Sequence, residues 1–356
     1  MTKDKTLLVT LDFPPLLGGV ANYYFERVKA MSKDEIVVLV DELKTEGLKL
    51  EMGAKIYRFK FLQRFIWPHW LFLIWYIYKI VKKEKINKIW VGQVLPVGTA
   101  VWVVSKILNI PYFVSCHGND LLRAKKNKRK FKLAKKILAD AEFVEANTEF
   151  TKNILVNDFE ISAERIKIVY PINTLKKAMV DLQKVGELKE KYNLKDKKVL
   201  LTVGRLVESK GIDLVLQALP KVWQSVPNLV YLVIGDGPDK NRLMQIVNKL
   251  PQNIKPNIVF VGAVPYLELP NYYALASAFI LTPRSTPLIY KERKGEVNTD
   301  TESFGVVYLE AQEFGLPVVA GKVGGALEIA KNYNQMHLID SENNNEIIEK
   351  IIEIIK

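Results

Sequence analysis

The sequence predicts an α/β protein of two doubly wound parallel sheets, and three observations carry that prediction. Apolar runs of four to seven residues alternate with helical patterns along the chain, the signature of parallel βα units. At 356 residues the chain is long for one domain and comfortable for two, with apolar content for two cores. The runs also form two series on either side of Pro171, one sheet to each.

The first series places strands at residues 6–12, 36–40, 55–60, 88–92, 112–116, 142–146 and 166–170. The second places them at 198–203, 229–234, 257–261, 278–282, 317–320 and 336–339. Residues 170–177 then read as a hinge, giving domains 1–172 and 173–356. Two such sheets facing each other across a cleft are expected to bind ligands at the C-terminal edges of their strands.

Composition narrows the function. One cysteine, Cys116, excludes an intramolecular disulfide and fits a reducing compartment. His69, His117 and His337 lie far apart, and no Cys/His spacing suggests zinc, so no metal is expected. Residues 1–12 read as a charged start and a strand rather than a signal peptide. The longest uncharged apolar stretch, residues 65–78, contains Pro68 and His69 and is too short to span a bilayer. Net charge is +13, and residues 1–172 carry 29 Lys/Arg against 18 Asp/Glu, so the N-terminal half is the one that meets an anionic surface.

After the first strand, Gly18-Gly19 opens a helical pattern at residues 20–31. Paired glycines let backbone N–H groups approach an anion, although a plain turn reads equally well. Residues 67–78 hold Trp67, Trp70, Phe72, Trp75, Tyr76 and Tyr78, followed by Lys79, Lys82, Lys83 and Lys85. Such a helix suits a membrane interface. Packing on the sheet is preferred, because the strand order demands a crossover helix there.

The fifth strand ends in His117-Gly118-Asn119-Asp120, putting His117 in a ligand-edge loop, either as a structural hydrogen-bonding residue or as a functional one. A Cys116–His117 nucleophile pair is disfavoured, because adjacent strand residues point to opposite faces. Residues 123–136 then hold nine basic residues and no acid. Phe131, Ala134 and Leu138 share a face, with Leu133 and Ile137 beside it, so the run reads as one amphipathic cationic helix. Contact with an anionic membrane is favoured over a solvated face, since unrelieved like charge repels itself. Thr148 with Glu149 caps the next helix.

In the second half, Gly204-Arg205 to Lys210-Gly211 joins a strand to a helix. Lys210 sits at that helix N-terminus, where the macrodipole opposes a cation by about 0.3–1 kcal/mol unless an anion is bound. Arg205 and Lys210 together suit a diphosphate. Gly235-Asp236-Gly237 is a tight turn after another strand, and residues 283–303 form a long polar loop. If residues 305–314 are a helix, Glu310 falls in an apolar arc between Val306 and Phe314. An unpaired carboxylate there costs several kcal/mol, so it needs a core arginine, a backbone partner or a ligand.

Taken in order, these motifs, with Glu302-Ser-Phe-Gly305 leading into Glu310-Ala-Gln-Glu-Phe-Gly-Leu-Pro317 and Gly324-Gly325-Ala-Leu-Glu328, resemble the retaining nucleotide-sugar glycosyltransferases of family 4, which have the GT-B fold of two Rossmann-like domains. Within that family the text is most similar to bacterial lipid-directed mannosyltransferases such as those acting on phosphatidylinositol mannosides. The resemblance implies an N-terminal acceptor domain and a C-terminal donor domain. It also implies that Arg205 and Lys210 hold the leaving diphosphate, that Glu310 takes the ribose hydroxyls and that Glu302 contacts the transferred sugar. Gly19 would donate to phosphate, with Gly18, Gly235, Phe304, Gly305 and Val306 as further donor contacts. His117 would lie over the sugar near the acceptor, with Asn119, Asp120, Arg123, Lys125, Lys126 and Arg129 toward the acceptor and the membrane. The chain departs from the family pattern at Pro171-Ile-Asn-Thr, and the Gly-rich turn expected after Glu328 is missing from residues 329–339. It ends at Lys356, where relatives continue into a helix that crosses back to the first domain.

The expected activity is transfer of mannose from GDP-mannose to a lipid-linked or glycolipid hydroxyl, without metal or cofactor, at the cytoplasmic face of the cell membrane. Three other readings stand beside it. A UDP-sugar donor keeps the same fold, since nothing in the sequence reads the base. A nucleic-acid-binding protein is suggested by residues 123–136, yet no recognition module is visible. A dinucleotide-dependent oxidoreductase is disfavoured, because G-x-G-x-x-G is absent.

Overall fold

A computed structural model describes residues 5–15, 18–42, 53–61, 68, 70–284 and 302–356. The chain forms two compact units, Met1–Ile172 and Asn173–Lys356. Most of the polar loop at 283–303, together with Leu17 and Trp67, lies outside the described residues.

All thirteen expected strands form, each ending within two residues of the sequence reading. Those of unit 1 are β1 (Thr6–Thr10), β2 (Ile36–Asp41), β3 (Lys55–Phe59), β4 (Lys88–Val91), β5 (Tyr112–Cys116), β6 (Val144–Ala146) and β7 (Ile166–Ile168). They make one parallel sheet in the order β3-β2-β1-β4-β5-β6-β7. Unit 2 has β8 (Lys198–Val203), β9 (Leu229–Ile234), β10 (Ile258–Gly262), β11 (Ala278–Leu281), β12 (Val318–Gly321) and β13 (Met336–Ile339). Its sheet, also parallel, runs β10-β9-β8-β11-β12-β13. The order reverses between β1 and β4 and again between β8 and β11, so each unit has one topological switch point at which a crevice opens.

Among the described residues, unit 1 has the helices α1 (Gly19–Lys29), α2 (Leu71–Glu84), α3 (Val97–Leu108), α4 (Asn119–Lys125), α5 (Lys128–Asp140) and α6 (Glu149–Asn157). Strand residues alternate between two faces. Leu8, Val38 and Val40 bury against Tyr24 and Val28 of α1. Leu7, Val9, Val37 and Leu39 bury against a second layer that includes α2, α3 and α5. Unit 2 adds α7 (Leu182–Lys191), α8 (Ile212–Ser225), α9 (Lys240–Lys249), α10 (Leu269–Tyr273), α11 (Val306–Glu313), α12 (Ala326–Ala330) and α13 (Asn344–Ile355). Its sheet is likewise covered on both faces. Strands buried on both sides read as unbroken apolar runs, which is why they were visible in the sequence.

Two sequence expectations change. The helix read at 67–78 begins at Leu71, after Pro68, and continues to Glu84. It does pack on the sheet as a crossover, through Leu73, Ile77, Ile80 and Val81. The run at 123–136 is not one helix. Asn127 interrupts it, and its side chain caps α5 by accepting from the main-chain N–H groups of Arg129 at 2.9 Å and Lys130 at 3.1 Å. An asparagine that can satisfy two orphan donors makes a better cap than a helix interior.

Candidate active site

In unit 2 the motifs meet at the switch point. The loop after β8 carries Arg205 and leads through a short 3₁₀ turn, Glu208–Lys210, into α8. Neighbouring loops are laced to it by main-chain contacts: Leu206 N–H donates to the Asp236 carbonyl at 3.0 Å, and Arg284 N–H to that of Ser209 at 3.0 Å. Two glycines permit this. Gly211, at φ +68°, lies so close to Thr282 that a Cβ would stand 1.9 Å from its carbonyl oxygen, and a Cβ on Gly235 would stand 1.9 Å from that of Gly204.

Lys210 finds its anion within the protein. Its Nζ makes a short ion pair with Glu302 Oε2, and both side chains are largely buried. The conflict between a lysine and a helix N-terminus is thereby resolved by one of the residues singled out as sugar-binding. Arg205, five residues earlier, is exposed and pairs with no acid among the described residues. Glu302 is joined to the following glycine turn by Gly325 N–H, which donates to its carbonyl at 3.3 Å. Phe304 is buried, and Gly305, at φ +89°, starts α11 with Val306 as its first residue.

Glu310 is 3% exposed on α11. Its partner is neither an arginine nor the backbone. The Tyr273 hydroxyl of α10 donates to Oε2 at 2.6 Å, and Tyr266 also hydrogen-bonds the carboxylate. Burial pushes the Glu310 carboxyl up to about 7, with both tyrosines pulling the other way.

Deeper in unit 2, the buried Asp213 of α8 accepts from Arg284 Nη2 at 2.5 Å and Arg242 Nη1 at 3.0 Å. This pairing ties the segment just after β11 to the start of α8, the helix that Lys210 precedes. No local pattern in the sequence signalled it.

In unit 1 the switch point is closed by Gln93 after β4. Its Oε1 accepts from Leu11 N–H at 2.9 Å, and its Nε2 donates to Asp12 Oδ2 at 2.8 Å. His117 follows β5, is buried, and lies 2.6 Å through Nε2 from the Tyr24 hydroxyl of α1, which in turn donates to the Gly92 carbonyl at 2.5 Å. Burial, with the nearby Arg27 guanidinium, pushes the His117 imidazole down to about 3. Arg27 is held by a buried cluster: it donates to both Glu145 oxygens, at 2.5 and 2.9 Å, and to the Tyr23 hydroxyl at 2.7 Å. Ser115 also donates to Glu145 at 2.5 Å. Cys116 is buried with its thiol pushed well up, so it supplies no thiolate beside His117.

Asn119 and Asp120 begin α4, and His117 N–H donates to Asp120 Oδ1 at 3.0 Å. Burial pushes the Asp120 carboxyl up to about 6, with main-chain N–H groups opposing it. Arg123, Lys125, Lys126 and Arg129 are exposed, but the charge run is partly relieved. Lys125 pairs with Asp158 at 2.5 Å and Lys135 with Glu160 at 2.6 Å. Gly18 and Gly19 are exposed at the start of α1, which has no acid in its first turn.

The structure thus gathers Arg205, Lys210, Gly235, Glu302 and Gly305 at one edge of unit 2, and His117, Asn119 and Asp120 at one edge of unit 1. Tyr24, Gln93, Arg27, Glu145, Tyr273 and Asp213 support them and were not foreseen. Among the described residues no helix is long and apolar enough to cross a membrane.

Two family descriptions match the chain: "Glycosyltransferase Family 4" over residues 17–172 and "Glycosyl transferases group 1" over residues 184–356. A GDP-mannose-dependent alpha-(1-6)-phosphatidylinositol monomannoside mannosyltransferase of Mycolicibacterium smegmatis is 27% identical over 90% of this chain and 81% of its own. A monoacylated-substrate counterpart of Corynebacterium glutamicum is 24% identical over 99% and 88%. Among solved structures, HepE of Anabaena in complex with UDP and glucose superposes with a TM-score of 0.77 at 20% identity, covering 98% of this chain and 89% of that one.

Proposed function

We propose, for a chain that belongs to the family 4 glycosyltransferases and has their GT-B fold, that it is a retaining mannosyltransferase using GDP-mannose to glycosylate a lipid-linked or glycolipid hydroxyl. The observation that carries the reading is the Lys210–Glu302 pair five residues from exposed Arg205, two cations and a carboxylate on one loop cluster. The named activity of the two mannosyltransferase relatives supports the choice of sugar and acceptor.

In this reading the bond from the anomeric carbon to the diphosphate breaks, and its electron pair leaves on phosphate oxygen. The acceptor hydroxyl oxygen bonds to the anomeric carbon on the same face, and its proton passes to the departing phosphate. Arg205 and Lys210 stabilise the charge that develops there. Glu302 accepts from sugar hydroxyls and Glu310 from the ribose, while Gly18, Gly19, Gly235, Phe304, Gly305 and Val306 line the donor. His117, neutral and fixed by Tyr24, accepts from a sugar hydroxyl, with Asn119 and Asp120 toward the acceptor. Arg123, Lys125, Lys126 and Arg129 face an anionic membrane at the cytoplasmic side.

The rival donor is a UDP-sugar. Incubation with a panel of GDP- and UDP-sugars, following binding and slow hydrolysis, separates the two. Preference for GDP-mannose supports the proposal, and preference for a UDP-sugar replaces the donor while leaving the reaction type intact.

A further inference from the structure

Under α1 an ion pair is set into a mostly apolar face of the sheet. Leu8, Val38, Val40, Trp90 and Phe113 lie on that face, and Tyr24 and Val28 of α1 cover it. Among them Glu145 of β6 is 5% exposed and accepts from both terminal nitrogens of Arg27 on α1, at 2.5 and 2.9 Å. Ser115, its register partner on β5, donates to it at 2.5 Å and accepts from Trp90 Nε1 at 2.7 Å. The Arg27 guanidinium lies over the Trp90 ring, 4.2 Å from its centroid. A buried pair of this kind is weak evidence for stability, since well-packed apolar residues of like volume often serve as well or better. Its value lies in what the guanidinium holds.

Arg27 Nη1 also donates to the Tyr23 hydroxyl at 2.7 Å, one turn earlier on α1. Tyr23 and Tyr24 bracket His117. Their rings stand edge-on to the imidazole, with centroids 5.2 and 5.3 Å away at interplanar angles of 84° and 88°. The Tyr24 hydroxyl is anchored by the Gly92 carbonyl, and the Tyr23 hydroxyl by Arg27. Each wall of the imidazole slot is therefore pinned at its phenol oxygen. Burial and the Arg27 charge together push the imidazole down to about 3, so the clamp that pins the slot also favours the neutral ring.

We infer that Arg27, held by Glu145, is a positioning residue for His117: through Tyr23 it fixes the slot from which the imidazole presents Nδ1 to the substrate. The inference rests on the role proposed above for His117 and extends it to a residue that acts through another. The titratable and charged groups around His117 are Tyr23, Tyr24 and Arg27 of α1, Asp12 after β1, Cys116 of β5, Glu145 of β6 and Asp120 of α4. Burial holds Tyr23, Tyr24 and Cys116 well above their ordinary values, whereas Asp120, at about 6, changes charge within the working range.

The test uses the full chain with nitrogen-15-labelled histidine, following His117 by NMR beside kcat and donor KM between about pH 5 and 8. Each variant is repeated on an Asp120→Asn background, which removes the titration of Asp120. Arg27→Gln should lower kcat about ten-fold with donor KM nearly unchanged. It should also move the His117 titration up by about two pH units, giving kcat an acid limb that the wild type lacks. Glu145→Gln keeps the cation but loosens its clamp, so kcat should fall with no upward movement of the titration. Arg27→Lys should keep the low titration and recover part of the rate. Should Arg27→Gln not fold, as judged by circular dichroism, Arg27→Gln with Glu145→Gln leaves no unpaired buried carboxylate and carries the same expectation. Wild-type nitrogen shifts and a wild-type kcat profile in the folded variant would overturn the inference. So would equal losses in Arg27→Gln and Glu145→Gln with the His117 titration unmoved in both, the mark of a merely structural pair. Undiminished turnover in His117→Ala would instead overturn the reading of the site, and with it the catalytic weight of Arg27.

Discussion

The Tyr24 hydroxyl donates to the Gly92 carbonyl at 2.5 Å and lies 2.6 Å from Nε2 of His117. A phenol has one proton, so the proton in the second bond comes from the imidazole. His117 therefore carries a proton on Nε2, and because burial keeps the ring neutral, Nδ1 is left as an acceptor. With the imidazole pushed down to about 3, that state holds across the working pH range. Tyr24→Phe should lower kcat by about ten-fold with KM for the donor nearly unchanged, because orientation is lost rather than binding. Nitrogen shifts of His117 should report the Nε2–H tautomer in the wild type and a mixture in Tyr24→Phe. A fixed tautomer in both would show that Tyr24 does not set it.

The same shift has a stability consequence. A basic group whose folded value lies near 3 rather than 6.5 is protonated more readily in the unfolded chain. Its contribution is fully present above about 6.5 and is lost as pH falls toward 3. Replacing His117 by Asn should therefore flatten the decline of unit 1 stability between those values, which chemical denaturation at several pH values would measure.

Glu310 has the opposite sign. Its carboxyl is pushed up from 4.5 to about 7, so its contribution to stability is complete below about 4.5 and is lost as pH rises through 7. A change on the order of 3 kcal/mol follows, and Glu310→Gln should abolish it. Donor binding should run the other way, because a carboxylate that accepts from ribose hydroxyls must be ionised. Calorimetry with GDP should show affinity falling about ten-fold per pH unit below 7 in the wild type and little pH dependence in Glu310→Gln. A flat wild-type profile would place the ribose elsewhere.

What the sequence revealed and what it hid divide along chain separation. Parallel strands buried on both faces announce themselves as apolar runs, and Glu310 stood out because its own helix made it an anomaly. Its partner Tyr273 is 37 residues away, Tyr24 is 93 from His117, and Arg27 is 118 from Glu145. Nothing local marks either member of such pairs, since each satisfies its needs through the tertiary fold. Asn127 was legible as a cap in principle, but the unbroken basic run around it suggested one continuous helix.

Asp213 illustrates a pairing whose loss should be felt at the active site. Its carboxylate is almost fully buried and is shared by Arg284 and Arg242, with Arg284 the more deeply set at 9% side-chain exposure against 37%. Arg284→Ala leaves a buried charge with one partly exposed partner and should destabilise unit 2 by about 3 kcal/mol, whereas Arg242→Ala should cost less. Since Arg284 N–H also holds the Ser209 carbonyl at 3.0 Å, the loop bearing Lys210 loosens with it. Lys210→Ala itself should lower turnover by about 100-fold or more and, by leaving the largely buried Glu302 carboxylate without its cation, should also cost stability. Thermal unfolding and single-turnover rates on the three variants would separate these effects, and near wild-type turnover in Lys210→Ala would remove that lysine from the chemistry.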